Sequence, residues 1–361
     1  MLHKSITPLA KTWLKAAILF VLVLLIRFIQ LHPQWIEQYY SVTLFQKIAE
    51  LLRLLAGWVP FSAGDILYAM AIIWLLIKII LLLRKKFSRN GFLQGLGVLV
   101  SRILLIYIIF NFLWGLNYYR LGISYQLQLQ PDSYNITDLK ELTSLIIIKA
   151  NAARRSIGNN SFSYTSNKEI FEEAQQCYKA ANNKYPFLAY KNRSVKSSLY
   201  GKLGNYMGFL GYYNPFTGEA QLNVTPPSFI LPYTTCHEIA HQIGYASEGE
   251  ANFVGYLAAK ESQEKLFQYS LYFDLYTYAN KALFVRDSIA AIKNNSLLDT
   301  LVLTDMKAYR KFVDSYKNPL EPIITRFYGS YLKANNQPEG VRSYNDIVAW
   351  LIAYRKKNGD I

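Results

Sequence analysis

The sequence predicts a mainly α protein: three N-terminal transmembrane helices followed by an outer α+β domain with a short β-sheet. Three observations predict it. Apolar runs at Trp13–Leu31, Phe61–Leu83 and Phe92–Leu116 each reach the roughly 20 residues that cross a bilayer core. Beyond Leu116 the apolar residues recur at helical spacing instead of in unbroken runs. One stretch, Ser197–Val224, interrupts that pattern with Gly, Asn and Pro around short β-prone segments. The 361 residues thus divide into a membrane part, 1–116, and an outer part, 117–361, large enough to bury a core of its own.

The first run follows Lys4, Lys11 and Lys15, as the core of a signal peptide would. No small-residue cleavage pattern follows it, so it reads as an uncleaved span. Trp13, Trp35, Trp58 and Trp114 stand near the run ends, where an interfacial belt belongs. The N-terminal lysines and the cluster Arg84, Lys85, Lys86 and Arg89 are the basic segments, which places both in the cytoplasm. With three spans, the N terminus is then inside. Everything after Leu116 is outside, periplasmic or extracellular for a bacterial inner-membrane protein. The loop from Gln34 to Pro60 contains SVTLFQKIAELLRLLAGW, whose apolar spacing is helical. It lies either along the membrane surface or against the outer domain. Arg102, inside the third run, is expected to pair with Asp65 or to snorkel.

In the outer part, Asp132–Arg155 and Lys168–Asn183 read as amphipathic helices. Phe216–Val224 reads as a β-prone segment, on its own half of a plain hairpin. From Lys260 onward the pattern is helical. Cys177 and Cys236 are the only cysteines, and Cys236 beside a candidate ligand reads as a buried apolar residue. The net charge of +15 fits an anionic membrane surface or cell-wall polymer, and an outward-facing domain excludes nucleic acid.

Thr234–Ala259, TTCHEIAHQIGYASEGEANFVGYLAA, carries the chemistry. His237 and His241 are four residues apart and share one face of a helix, so two imidazoles converge on one point. Glu238, next to the first, is placed to take a proton from zinc-bound water, whose pKa zinc lowers to roughly 7. That is the metallopeptidase reading of H-E-x-x-H. Pro232 with Thr234 and Thr235 supplies a helix start, Gly244 a stop, and Ser247 with Glu250 a capping box for a second helix.

Catalytic zinc usually takes three protein ligands. Here the sequence resembles the gluzincin metallopeptidases, which add a glutamate from a following helix to H-E-x-x-H. In the thermolysin and CAAX-prenyl-protease branches that glutamate precedes an Asp by four residues, often with Ala before the Asp. In gluzincins a strand just before the metal helix pairs with the extended substrate backbone, and the resemblance implies Phe216–Val224 as that strand, with its edge open to a peptide. In EGEAN, Glu248 stands four before Asn252, with Ala251 between. The resemblance implies a zincin-like (gluzincin-type) outer domain, Glu248 as third Zn2+ ligand, and Asn252 as the group that orients a histidine. Asn for Asp is a departure that weakens the charge behind the histidine. Glu250 is the alternative third ligand. The oxyanion needs a donor, and no histidine follows His241. Tyr344 and Arg342, ahead of the C-terminal helix, are the first candidates, with Tyr212 and Tyr213 as competitors.

WGLNYYR, GYYNPFTGEAQLN, CHEIAHQIGYASEGEANF and GVRSY together resemble a family of bacterial membrane proteins of unknown function, with three N-terminal spans and a H-E-x-x-H segment. The expectation is a membrane-anchored zinc metallopeptidase that acts on a peptide or protein substrate at the bilayer surface. The alternative is a non-catalytic membrane scaffold or assembly factor with a degenerate metal site. An intramembrane protease is excluded by the polarity of Gln242, Glu248, Glu250 and Asn252. Neither the substrate nor the oligomeric state is legible.

Overall fold

Short capping side chains start two of the three long apolar helices. The Thr7 hydroxyl accepts from the amide of Ala10 and opens α1, Pro8–Gln30; Ser88 does the same for Gly91 at α5, Arg89–Leu113. The computed structural model describes residues 7–84, 88–131, 134–158, 166–340 and 346–361. Between these two helices lies α4, Ala63–Leu83. All three are long and apolar enough to cross a membrane, over Pro8–Gln30, Ala63–Leu81 and Arg89–Leu113. The caps start the first and third helices before their apolar runs, and a 3-10 turn at Gly115–Tyr119 ends the third before Leu116. α1 and α5 pack together. Gly97 permits this, since a Cβ there would sit 2.9 Å from Cγ2 of Thr12.

The segment between the first two spans does not stand apart. A single turn, α2 (Pro33–Trp35), leads through a π-helical stretch, Ile36–Leu44, into α3, Phe45–Gly57. Ile36, Tyr40, Phe45 and Ala49 are buried in a core with Trp114, Leu116, Tyr118 and Ala246. The outward face of α3 leaves Leu51, Leu54, Leu55 and Trp58 exposed. One face thus packs on the large domain while the other stays apolar and open.

The rest of the chain builds around two buried helices, α10 (Leu231–Gln242) and α11 (Glu248–Ala259). They are enclosed by α7 (Ile136–Ile157), α8 (Asn167–Lys184), α12 (Lys265–Arg286) and α16 (Ile347–Asn358) in one apolar core. A capping box between Asn135 and Asp138 starts α7. Short helices α6 (Gly122–Leu127), α9 (Gly201–Met207) and α13 (Ser288–Asn294), with α14 (Thr300–Ser315) and α15 (Glu321–Ala334), complete the set.

The sheet has three strands in the order β1 (Val195–Ser197), β3 (Glu219–Leu222), β2 (Gly211–Asn214). β1 is parallel to β3 and β2 antiparallel. This corrects the expectation that Phe216–Val224 offers the edge. β3 is paired on both sides, and the open edge near the cleft belongs to β2.

Asp65 is likewise not the partner of Arg102. Its carboxylate accepts from the Tyr212 hydroxyl at 2.5 Å and the Leu199 amide at 2.7 Å, while the Arg102 guanidinium lies over the Trp74 ring. Glu219 on β3 accepts from the amides of Ala63 and Gly64, and so caps the first turn of α4 with a negative charge. The sheet therefore holds the end of the second span directly.

Candidate metal centre

All twelve residues of α10 are buried. Pro232 lies in its first turn, as expected, but the threonines do not cap it. Thr234 and Thr235 lie inside the helix and donate back to the carbonyls of Ile230 and Leu231. Gly244, at φ +96°, turns the chain out of the helix where a Cβ would also press on the Phe45 ring. Gly255 on α11 lets the two helices close to backbone contact, since a Cβ there would stand 3.1 Å from the His237 amide nitrogen.

That approach brings three donors together. His237 Nε2 lies 3.2 Å from His241 Nε2. Glu248 Oε2 lies 3.3 Å from the first and 3.6 Å from the second. Tetrahedral ligands about 2.0–2.1 Å from zinc stand about 3.3 Å apart, so the triangle has the spacing of one face of a zinc site. The group can hold a metal ion. The second atoms of two donors are already occupied. The His241 Nδ1 faces the carbonyl of Tyr245 at 2.7 Å, and because a carbonyl only accepts, Nδ1 carries the proton. Its Nε2 is left to face the centre. Glu248 Oε1 accepts from the Tyr328 hydroxyl at 2.6 Å, whereas Oε2 faces the two histidine Nε2 atoms and points to the same centre. Burial pushes the Glu248 carboxyl up, but its contacts to His237 and His241 outweigh this and hold it far below the usual range. A carboxylate kept ionised against burial is the form a cation needs.

Glu238 follows in the same helix and stays apart from the triangle. Its Oε2 is buried without a partner. Burial pushes its carboxyl above the ordinary range, opposed by His237 and His241 and reinforced by Glu248. Gly211, at the start of β2, lies so close that any Cβ there would overlap the Glu238 carboxylate. A cavity of about 380 Å³ opens at this point, lined by Gly208–Gly211, His237, Glu238, Asn252, Asp274 and Tyr328 among others. Burial raises the Asp274 carboxyl to about 7.

Glu250 is not near the triangle, which removes it as the alternative ligand. Two positions along a helix is a rotation of roughly 200°, so it faces away from Glu248. Its Oε1 accepts from the Ile123 amide at 2.7 Å, under Gly122. Nor does it form a capping box, because the Ser247 side chain makes no capping hydrogen bond. Asn252 stands on the cavity wall, where its side chain meets the Tyr278 hydroxyl and its carbonyl accepts from Tyr233. Arg342 and Tyr344 lie outside the described residues. Tyr212 is turned to Asp65, and Tyr213 packs on Trp114. Tyr328 was not anticipated. In a chain with 29 tyrosines, nothing marks the one that reaches a ligand 80 residues away. Cys177 and Cys236 are both buried free thiols.

The C-terminal end of α10 is held by donors from elsewhere in the chain. The carbonyls of His241, Gln242, Ile243 and Gly244 accept from Trp114, Arg53, Gln46 and Arg120, respectively, at 2.8–3.3 Å. All four donors come from the ends of the spans or the segment between them. Orphan carbonyls at a buried helix end need such partners. Arg120 is itself fixed by a bidentate pair with Glu37.

The family model described as "Protein of unknown function (DUF3810)" matches residues 40–352, most of the chain, and the chain belongs to that family. No curated protein and no solved structure matches it.

Proposed function

We propose that this DUF3810 member is a membrane-anchored zinc metallopeptidase with a zincin-like outer domain. One observation carries the reading: three buried donors at tetrahedral spacing stand beside a buried carboxylate whose Oε2 has no hydrogen-bond partner among the described residues, and His237 and Glu238 line one cavity. A merely structural site has no use for the Glu238 carboxylate. His237, His241 and Glu248 would hold the zinc. The ion supplies Lewis acidity and a water acidic enough to ionise near neutral pH. Glu238, next to His237 on the helix and lining the cavity, would take up the proton of the attacking water and return it to the leaving amine. The segment 208–211 that leads into β2, the edge strand, lines the cavity and offers backbone groups for an extended peptide laid across it. The basic clusters at the N terminus and around Arg84–Arg89 favour a cytoplasmic N terminus and an extracytoplasmic domain.

The test uses the full chain in detergent or vesicles, loaded with zinc and incubated with a peptide library read by mass spectrometry. Cleavage that falls about 10²–10⁴-fold in Glu238→Gln, with metal content unchanged, is the expected result. Zinc-loaded, folded protein that cleaves nothing, or cleavage that survives Glu238→Gln, would overturn the peptidase reading.

A further inference from the structure

We infer that the two helices walling the cavity dock on the lipid surface, so that the cleft takes polypeptide segments as they emerge from the bilayer. The docking stands on geometry alone; the nature of the substrate rests on the peptidase reading above.

α15 has two faces. One, with Glu321, Ile324, Thr325 and Tyr328, lines the cavity. The other carries Leu320, Ile323, Phe327 and Tyr331, at spacings of three and four that make one stripe, and all four are exposed, Phe327 by 75%. α9, which packs on α15, repeats the arrangement: the loop that follows it lines the cavity, while Leu199 and Leu203 point out, Leu203 by 56%. Arg326, Lys333 and Lys202 flank these apolar residues, the composition of a helix lying in a headgroup layer.

What covers the stripes follows from what they adjoin. The Leu199 amide donates to Asp65 in the first turn of the second span. Tyr331, the last residue of the α15 stripe, shares a hydrogen bond with Tyr118, five residues past the end of the third span. Asn336, just beyond α15, donates to the Tyr118 carbonyl. Both helices are thus tied to span ends on the side where the domain sits, α9 through Leu199 just ahead of it and α15 through Tyr331 and Asn336 at its C-terminal end. Exposed apolar stripes anchored beside membrane helices match a bilayer surface better than water. A cleft with that rim receives chains anchored in the same membrane and disfavours freely diffusing peptides.

The experiment places single cysteines at Leu203→Cys and Phe327→Cys in the full chain and labels them with bimane. The native Cys177 and Cys236 are buried at 1% and 0% exposure and give the unlabelled baseline. The variants are reconstituted in phosphatidylcholine vesicles with or without lipids brominated near the glycerol end of the acyl chain. Insertion of about 5–10 Å predicts that brominated lipid quenches both labels by about half or more, while aqueous iodide quenches them less than a label at the exposed Arg310→Cys. Labels quenched by iodide as fully as the Arg310→Cys reference, and not by bromine, would overturn lipid docking. Protection from both quenchers that grows with protein-to-lipid ratio would also overturn it and assign the stripe to a second copy of the chain. No outcome depends on peptidase activity, so docking and function fail separately.

Discussion

Glu248 and Glu250 lie two residues apart, and helix rotation alone separates their roles. Glu248→Ala removes one of three donors, and its metal content, measured by mass spectrometry on the full chain, should fall close to zero. Glu250→Ala should keep the metal and lose about 1–3 kcal/mol of stability, because it strands the buried Ile123 amide. Metal retained in the first and lost in the second would refute the ligand set. Tyr328→Phe deletes the donor that orients the Glu248 carboxylate; chelator competition should show affinity about 10–100-fold weaker with the fold intact. At this scale the sequence was legible where the chemistry is local. The four-residue spacing of His237 and His241 brings two candidate donors together because a helix imposes it, and the EGEAN resemblance directs attention to Glu248. Tyr328 was illegible because tertiary folding alone brings α15 over the site. The capping role expected of Thr234 and Thr235 failed because α10 starts earlier, at Leu231.

At the scale of the element, the decisive feature is the buried end of α10. Helix spans and caps follow from periodicity and turn chemistry, and most of them were legible. The donors that satisfy four carbonyls were not, since Gln46, Arg53, Trp114 and Arg120 are scattered through segments that read as membrane or loop. The Glu37–Arg120 pair gives this clamp a pH signature. Burial pushes the Glu37 carboxyl up, but the hydrogen bonds and charge of Arg120, with Gly122 and Gln126, outweigh it and hold the group below its ordinary 4.5. Its contribution to stability is therefore full above that value and lost only as pH falls through the lowered one. In Arg120→Met the dominant lowering influence is gone and burial raises the carboxyl, so the sign reverses and stability falls as pH rises through 4.5 and above. The variant should be about 3–5 kcal/mol less stable near neutral pH, with a deficit that shrinks toward pH 5. Melting temperatures across that range check it, and a deficit independent of pH would show that Glu37 is not the group left unpaired.

For the whole molecule, composition separates a part with three membrane-length helices from the rest of the chain because long apolar runs are unmistakable. It does not reveal how far the two interpenetrate, because contacts such as Arg53 with the Gln242 carbonyl join residues 189 positions apart. That interpenetration makes a prediction about residues 117–361 expressed alone. The fragment lacks Ile36, Tyr40 and Phe45, three large buried side chains worth about 1.5–3 kcal/mol each. It also takes from the Gln242 and Ile243 carbonyls, the Arg120 guanidinium and the Glu219 carboxylate the partners that lie upstream of residue 66, including the charge that pairs Arg120. Each buried orphan costs about 1–3 kcal/mol, more when charged. A domain holds only about 5–15 kcal/mol in total, so these losses are large enough to unfold it. The fragment should aggregate or melt without cooperativity, whereas the full chain in detergent melts in a single transition. A monomeric fragment with a sharp melt and one bound metal would show that the span ends decorate the site without supporting it. The expected failure would mean that the candidate centre exists only while the chain is assembled with its membrane helices. On the proposed peptidase reading, activity would then be confined to the bilayer.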